Sequence, residues 1–376
     1  MKLLLLRDKT WIENNKGWFV STRRNGLFEI ELDTGVCKLL TLLPDYAFDN
    51  WRTNPGCIKY RDRILCIPVN GDRIWDYDMV TEEIVPISVT KDNRKGVLMY
   101  CYWVVGDILY AVSISYRQIF VIDLNLRMVI DTITITTRKV ELRESIMEGD
   151  SIYTVSQSEP VIYEYNIITR NIIEHSLNDV KSNLSSIVFD GENFWLSGSS
   201  KEIFIWNKEC NTIKTIRDFP VDFGRYILGD CDEKILDLQL YDFEERIFSY
   251  SVNSSKYIWF IPYRANKILY VNKENFQVNS FEIDEEVETR ESLARKKIQD
   301  RYFLQYVNEE LLSLYSVKNN KVLEIDMEKL TWRYKEDLLN INNGKCRGMH
   351  NSEIINSTIF PEWEKVFFWS LLCRGE

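Results

Sequence analysis

The sequence predicts an all-β fold, a single β-propeller of seven four-stranded blades. Three observations carry this: a short motif that occurs seven times, a repeat interval close to one blade, and no helical-period segments between strands. The stretch ILCIPVNGDRIWDYD (64–78) returns without a gap as IWFIPYRANKILYVN (258–272). Pro68 and Pro262, Ile74 and Ile268, and the closing Asp78 and Asn272 fall in register.

The motif is an apolar residue, two arbitrary residues, an apolar or aromatic residue, and then Asp, Asn or Glu. It occurs as LFEIE at 27, IWDYD at 74, IFVID at 119, IYEYN at 162, IFIWN at 203, ILYVN at 268 and VLEID at 322. Successive copies lie 47, 45, 43, 41, 65 and 54 residues apart, the spacing of a propeller blade. In the first unit TWIE reads as a strand, NNKG as a turn and GWFVS as the second strand. After the turn TRRNG come LFEIELD, a turn at TG, and VCKLL as the fourth strand. β-Branched and aromatic alternation between Asn, Gly and Asp punctuation marks each hairpin. The fifth unit repeats the layout as SSIVF, DGEN, FWLSG, SSKE, IFIWN, KECN and TIKTI.

Blades are expected at about 8–43, 56–90, 98–136, 144–177, 184–217, 246–284 and 302–338 of one domain spanning 1–376. Residues 221–245 form an acidic insertion, and 285–301 reads as a short helix with Glu291 and Arg295 at i, i+4. Residues 344–376 are a tail whose strand or helix character stays open, as do ring closure and a degenerate eighth blade. The residue that closes each motif (Glu31, Asp78, Asp123, Asn166, Asn207, Asn272, Asp326) is read as a turn former that bonds its own backbone, not as a ring of ligands.

ILYAVSISYRQIFVIDLNLRMVIDTITI (108–135) resembles the YVTN-type bacterial β-propeller repeat, and the layout is similar to the wider WD- and kelch-like propeller superfamily. The Gly-His…Trp-Asp pair and the double glycine of the latter two classes are missing. The resemblance implies a fold and no activity.

Aromatic residues at 13% and apolar residues at 45% supply a large core. A net charge of −10 argues against a nonspecific nucleic-acid binder. Apolar runs such as LLLL and VFFWSLLC fall short of the ~20 residues of a membrane span, and 1–6 reads as a strand, not as a signal peptide. The eight cysteines show no C-x-x-C, so reduced thiols and a cytoplasmic protein are expected.

In such a blade the turns between strands two and three share a face with the connectors between blades. That face carries Arg23, Arg24, Arg73, Arg117, Lys201, Arg264 and Lys318. The opposite turns carry Asp62, Asp107, Glu148, Asp150, Asp190, Glu192, Glu309 and Glu310, so the disc is expected to be electrically two-faced. Trp51 beside Arg52 in DYAFDNWRTNPG offers stacking and a fork of donors, and Arg94, Arg143 and Arg225 occupy comparable connectors. No metal-ligand spacing, phosphate loop or nucleophile elbow appears, so no metal, cofactor or catalytic residue is assigned. The two histidines are His175 on an outer strand and His350 in the tail.

These observations lead to an expected non-catalytic binding propeller, recognising a peptide, protein or anionic ligand on the arginine-bearing face. A sugar- or peptide-directed lyase, epimerase or hydrolase in the funnel, and a carbohydrate or small-molecule module, are the alternatives. Acid–base chemistry by carboxylates alone keeps the first alternative open.

Overall fold

The computed structural model describes residues 10–21, 26–31, 36–44, 56–69, 71–90, 97–221, 223, 247–263, 265, 267–286, 302–308, 310–316, 319, 321–335 and 340–341. They form seven antiparallel sheets arranged as a propeller, each with its strands in sequence order. The first blade comprises Trp11–Glu13, Lys16–Ser21, Gly26–Glu31 and Val36–Leu42. The second comprises Gly56–Tyr60, Arg63–Ile67, Arg73–Asp78 and Ile84–Ser88. Met99–Val105, Ile108–Ser113, Gln118–Asp123 and Met128–Thr134 build the third. Leu142–Glu148, Ser151–Ser156, Val161–Asn166 and Ile172–Ser176 build the fourth. In the fifth are Leu184–Phe189, Phe194–Gly198, Ile203–Asn207 and Thr212–Ile216. The sixth holds Phe248–Asn253, Tyr257–Pro262, Ile268–Asn272 and Val278–Phe281. Tyr302–Val307, Leu311–Ser316, Lys321–Asp326 and Thr331–Lys335 complete the seventh.

First strands of neighbouring blades touch between blades 1 and 2 and from blade 3 through blade 6. Beyond the seventh blade, Asn340–Ile341 pairs in parallel with Val36 and Cys37, adding a fifth strand to the outer edge of blade 1. The strand expected at 1–6, most of the 221–245 insertion and the 344–376 tail lie outside the described residues, and of 285–301 only the end of a 3-10 turn, Asp284–Glu286, is described.

Six apolar clusters each straddle one pair of consecutive blades. Blade 1 gives Trp18 and Val20 to the first joint, where they meet Cys57, Ile64, Cys66 and Trp75 of blade 2. Ile58, Leu65 and Ile74 on the other face of blade 2 meet Met99, Leu109 and Phe120 of blade 3. The same arrangement continues around the ring to Trp259 and Ile261 against Leu312 and Leu323. Burying each such side chain is worth about 1.5–3 kcal/mol.

The motif's closing residue does what its chemistry predicts. Asp78 Oδ1 accepts from Val80 N and Thr81 N at 2.9 and 3.0 Å, and Asp123 Oδ1 from Asn125 N and Leu126 N at 2.9 and 2.8 Å. Asn166, Asn272 and Asp326 repeat the pair of bonds, and Asn207 accepts from Cys210 N. The next residue donates its own N–H to the turn between strands one and two: Met79 to Asp62, Leu124 to Asp107, Ile167 to Asp150, Lys273 to Lys256 and Met327 to Glu310. Two hairpins of one blade are thereby tied together at their tips.

Four residues after each of these Asx positions the backbone turns left-handed: Glu82 (φ 58°), Arg127 (54°), Arg170 (62°), Asn211 (50°), Phe276 (62°) and Leu330 (54°). Glycine normally fills such a position, and an L side chain there costs roughly 1–2 kcal/mol. A chain with only 15 glycines spends none of them at these six turns. Glu82→Gly, at an exposed tip, is expected to raise the unfolding free energy by about 1 kcal/mol, read from urea unfolding midpoints. A loss of stability would mean that the Glu82 side chain itself supports the turn.

Candidate functional site

The face with the strand-two-to-three turns is built from loops locked to each other through backbone bonds. Val89 N donates to Asp72 O, Ile135 N to Arg117 O, Leu177 N to Pro160 O, and Gln157 N to Glu141 O. Inner strands begin at this face, and in four consecutive blades they bulge near that end. In blade 3 Met99 pairs with Ser113 and Cys101 with Val112, which leaves Tyr100 as the extra residue. Arg143 and Glu144 bulge between Leu142 and Ser145 in blade 4, Ser185 before Ser186 in blade 5, and Ser249 before Tyr250 in blade 6. Bulges at a barrel rim re-aim side chains. Here the bulged residues of blades 3 to 6 are Tyr100, Arg143 with Glu144, Ser185 and Ser249, of which the two serines are buried and the other three half-buried.

Buried serine hydroxyls lie beside these bulges. Ser186 Oγ lies 2.5 Å from Ser197 Oγ and 2.6 Å from Ser251 Oγ of the next blade, while Ser145 Oγ lies 2.9 Å from Thr154 Oγ1. Glu144 accepts from Ile187 N of blade 5 at 3.0 Å, fixing the fourth blade to the fifth. At Gly56 a Cβ would stand 2.8 Å from Tyr102 Oη of blade 3 and 3.0 Å from Ile67 Cβ, so a side chain there would displace the Tyr102 ring.

Of the residues singled out in the sequence, Arg73, Arg117 and Arg143 are described and stand on this face in three consecutive blades. Arg73 forms a two-pronged contact with Asp72 at 2.7 and 2.9 Å and lies over the Trp75 ring. The hydrogen bond from Arg73 holds the Asp72 carboxyl below its ordinary value. Arg143 donates to Gln157 Oε1 and, at 2.6 Å, to Glu141 Oε1. Arg117 is half-buried, with its Nε enclosed and unbonded among the described residues. Lys201 donates to the Phe223 carbonyl at 2.8 Å. Trp51, Arg52, Arg94, Arg225, Arg264, Arg23 and Arg24 lie outside the described residues. Among the described residues no group of three or more His, Cys, Asp or Glu side chains is placed to hold a metal ion, and no helix is long and apolar enough to cross a membrane.

The opposite half of the disc holds residues that the sequence reading passed over. The third position of the motif, taken there as arbitrary, is an acid in four blades: Glu29, Asp76, Glu164 and Glu324. All four sit within a sheet and meet cations. Lys16 and Trp18 Nε1 bond Glu29 at 3.0 and 3.1 Å, and Arg333 bonds Glu324 at 2.6 Å. Asp76 has no exposed surface, and its Oδ2 takes Arg63 of its own blade at 2.5 Å and Arg127 of blade 3 at 2.9 Å. Burial outweighs both arginines and pushes its carboxyl up. Glu164 takes Lys208 of blade 5 at 2.6 Å, His175 at 2.7 Å, Ser151 at 3.0 Å and Tyr153 at 3.1 Å. Burial alone would raise the Glu164 carboxyl, but bonds from Lys208, His175 and Ser151 outweigh it and hold it below 4.5. His175 is therefore part of a blade joint and packs on Trp206.

No family model matches the chain, and no curated protein matches it in sequence. Among solved structures, the fold is similar to a catalytically inactive histidine-to-alanine variant of virginiamycin B lyase from Staphylococcus aureus with quinupristin. That match has a TM-score of 0.59 at 11% identity and covers 86% of this chain and 97% of the lyase. A computationally designed protein, Ika8, matches with a TM-score of 0.57 at 8% identity over 89% of each chain. A chain of the mitotic checkpoint complex matches with 0.55 at 10% identity, covering 84% of this chain and 87% of that one. The chain is thus a seven-bladed propeller resembling virginiamycin B lyase and WD-repeat proteins in fold.

Arg63→Met would strand a fully buried carboxylate on one remaining cation, and a loss of about 3 kcal/mol is expected in denaturant unfolding. A loss under ~1 kcal/mol would show that water reaches Asp76. The two acid networks respond to pH in opposite senses. Glu164 is depressed on folding, so its stabilisation is complete above 4.5 and is lost as pH falls through the folded value. Asp76 is raised above 3.8, so its ionised form opposes folding at neutral pH and acid relieves that cost. Glu164→Gln is expected to be less stable than the parent at pH 7, with the gap closing on acidification below 4.5. A gap independent of pH, measured by thermal unfolding, would rule out the ionised network.

Proposed function

We propose that this protein is a non-catalytic binding propeller that takes an extended peptide or a protein loop at the channel mouth on the strand-two-to-three-turn face. One observation supports the reading: near that face the inner strands of four consecutive blades bulge, at Tyr100, Arg143 with Glu144, Ser185 and Ser249, and Tyr100, Arg143 and Glu144 keep part of their surface exposed. Hydroxyls, one guanidinium and one carboxylate suit the amides and mixed charges of a peptide. The pairing of Arg73 with Asp72 and of Arg143 with Glu141 favours such a ligand over a strongly anionic one, because each guanidinium already faces a carboxylate. Rigid scaffold and backbone-locked loops lower the ordering cost of binding.

The bacterial YVTN-type repeat character suggested by residues 108–135 is compatible with this reading. The lyase likeness raises the alternative of chemistry in the funnel, and the histidine-to-alanine change that accompanies loss of activity there makes histidine the residue to seek. Here His175 bonds Glu164 in a blade joint, and His350 lies outside the described residues.

A displayed peptide library panned against the full chain tests the reading. Selected peptides should lose at least tenfold in affinity with Arg143→Leu or Tyr100→Ala, while the thermal midpoint of each variant stays close to the parent. Peptides that bind both variants normally, but not Glu192→Lys on the opposite face, would place recognition elsewhere and sink the proposal.

A further inference from the structure

Two cysteines stand directly across from one another in blade 2. Cys57, on the inner strand, pairs in register with Cys66 on the antiparallel second strand. Opposed residues of an antiparallel pair have Cα atoms about 4.5–5.5 Å apart and side chains on one face, and a disulfide accepts Cα separations of about 4.4–6.8 Å. The shared face is the one turned to blade 1, since both thiols pack with Trp18, Val20, Ile64 and Trp75. Beside them, Lys59 of the same inner strand bonds Glu13 of blade 1 and lies over the Trp18 ring.

Elsewhere, Cys101 pairs in register with Val112, and Cys210 lies in an exposed turn where Asn207 and Thr212 meet its sulfur. Both members of the Cys57–Cys66 pair are buried, and burial raises both thiols, Cys66 with a further contribution from Cys57. In the closed ring they are poor nucleophiles, so reaction needs a brief opening of the joint between blades 1 and 2 and a small oxidant.

We propose that Cys57 and Cys66 are a reversible cross-strand dithiol, closed to a disulfide by a low-molecular-weight disulfide that staples the first hairpin of blade 2 at the joint with blade 1. The exchange balances as two steps. One protein thiolate attacks the small disulfide and expels one small thiolate. The second protein thiolate then attacks the mixed disulfide and expels the other. One protein S–S bond forms, one small S–S bond is broken, and the two thiol protons leave with the two small thiols.

The staple joins strands already paired, so the native fold accepts it without rearrangement. It removes freedom only from the open chain.

The test incubates the folded full-length protein with glutathione disulfide, then blocks remaining thiols and maps peptides without reduction. The expected result is a Cys57–Cys66 linked peptide, reversed by dithiothreitol, with the strand circular-dichroism spectrum kept and the thermal midpoint raised by a degree or more. Cys57→Ser and Cys66→Ser should each abolish the link and the rise, and each should accumulate a single glutathione adduct at the remaining member of the pair. Three outcomes would overturn the proposal: mixed disulfides on Cys57 or Cys66 without a link, a link formed only in denaturant, or a link that lowers the thermal midpoint.

Discussion

Each blade is a small sheet with two apolar faces, and neither face is covered until a neighbouring blade arrives. Ile58 and Leu65 look to blade 3 while Cys57, Ile64 and Cys66 of the same two strands look to blade 1. A lone four-stranded sheet of this kind would expose both sets to water, so the hydrophobic term that holds a blade together exists only in the ring. Everything else in the molecule works within that constraint. Hairpin tips are tied by Asx side chains and by the following N–H.

Polar groups then divide the disc into two halves. Near the strand-three-to-four turns, ionised side chains cross from blade to blade: Arg127 reaches Asp76, Lys208 reaches Glu164, and Arg61 reaches Asp107 at 2.7 Å. These pairs are committed to assembly. At the other end the inner strands bulge, and the residues gained by bulging are not needed for the ladder. An extra residue that breaks a regular pairing in four successive blades is a cost to the sheet. Such a cost is commonly associated with sites where a side chain has been re-aimed.

Repetition made the fold legible. Period-two alternation, turn residues and the seven closing Asx or Glu residues pointed to seven sheets, and the chemistry of a short amide or carboxylate at a turn assigned six of those residues to backbone bonding, the turn after Glu31 lying outside the described residues. The buried acids were passed over because their motif position tolerates Phe, Trp or Val-like neighbours and was read as arbitrary. An acid between two apolar residues of one strand, as in LFEIE, IWDYD, IYEYN and VLEID, is the signal that would have exposed them. The bulges could not be read: an extra residue in a strand leaves no composition mark, and the residues it presents come from blades about 45 positions apart. The expected arginine-rich face was visible as a list of charges. Asp72 and Glu159 were visible on the same face, but which acid each arginine meets was not, because pairing depends on side-chain geometry that turns do not encode.

The third motif position shows how one fold tolerates both chemistries. In blades 3, 5 and 6 it is Val121, Ile205 and Tyr270, where the other four blades carry acids. Its cross-strand partner adapts in turn. In blade 1 Trp18 stands opposite Glu29 and donates its indole N–H to it, whereas in blade 6 Trp259 stands opposite Tyr270 and its Nε1 is buried with no acceptor among the described residues. Burying that donor costs about 1–3 kcal/mol, and the close packing of Trp259 on Tyr270 and Phe281 offsets it. Acid-bearing joints thus gain a dependence on pH that packing alone does not have. Acidification weakens the Glu164 joint and also the bond of Glu328 to blade 6, whereas the packing of Trp259, Ile261 and Leu323 between blades 6 and 7 carries no charge to lose.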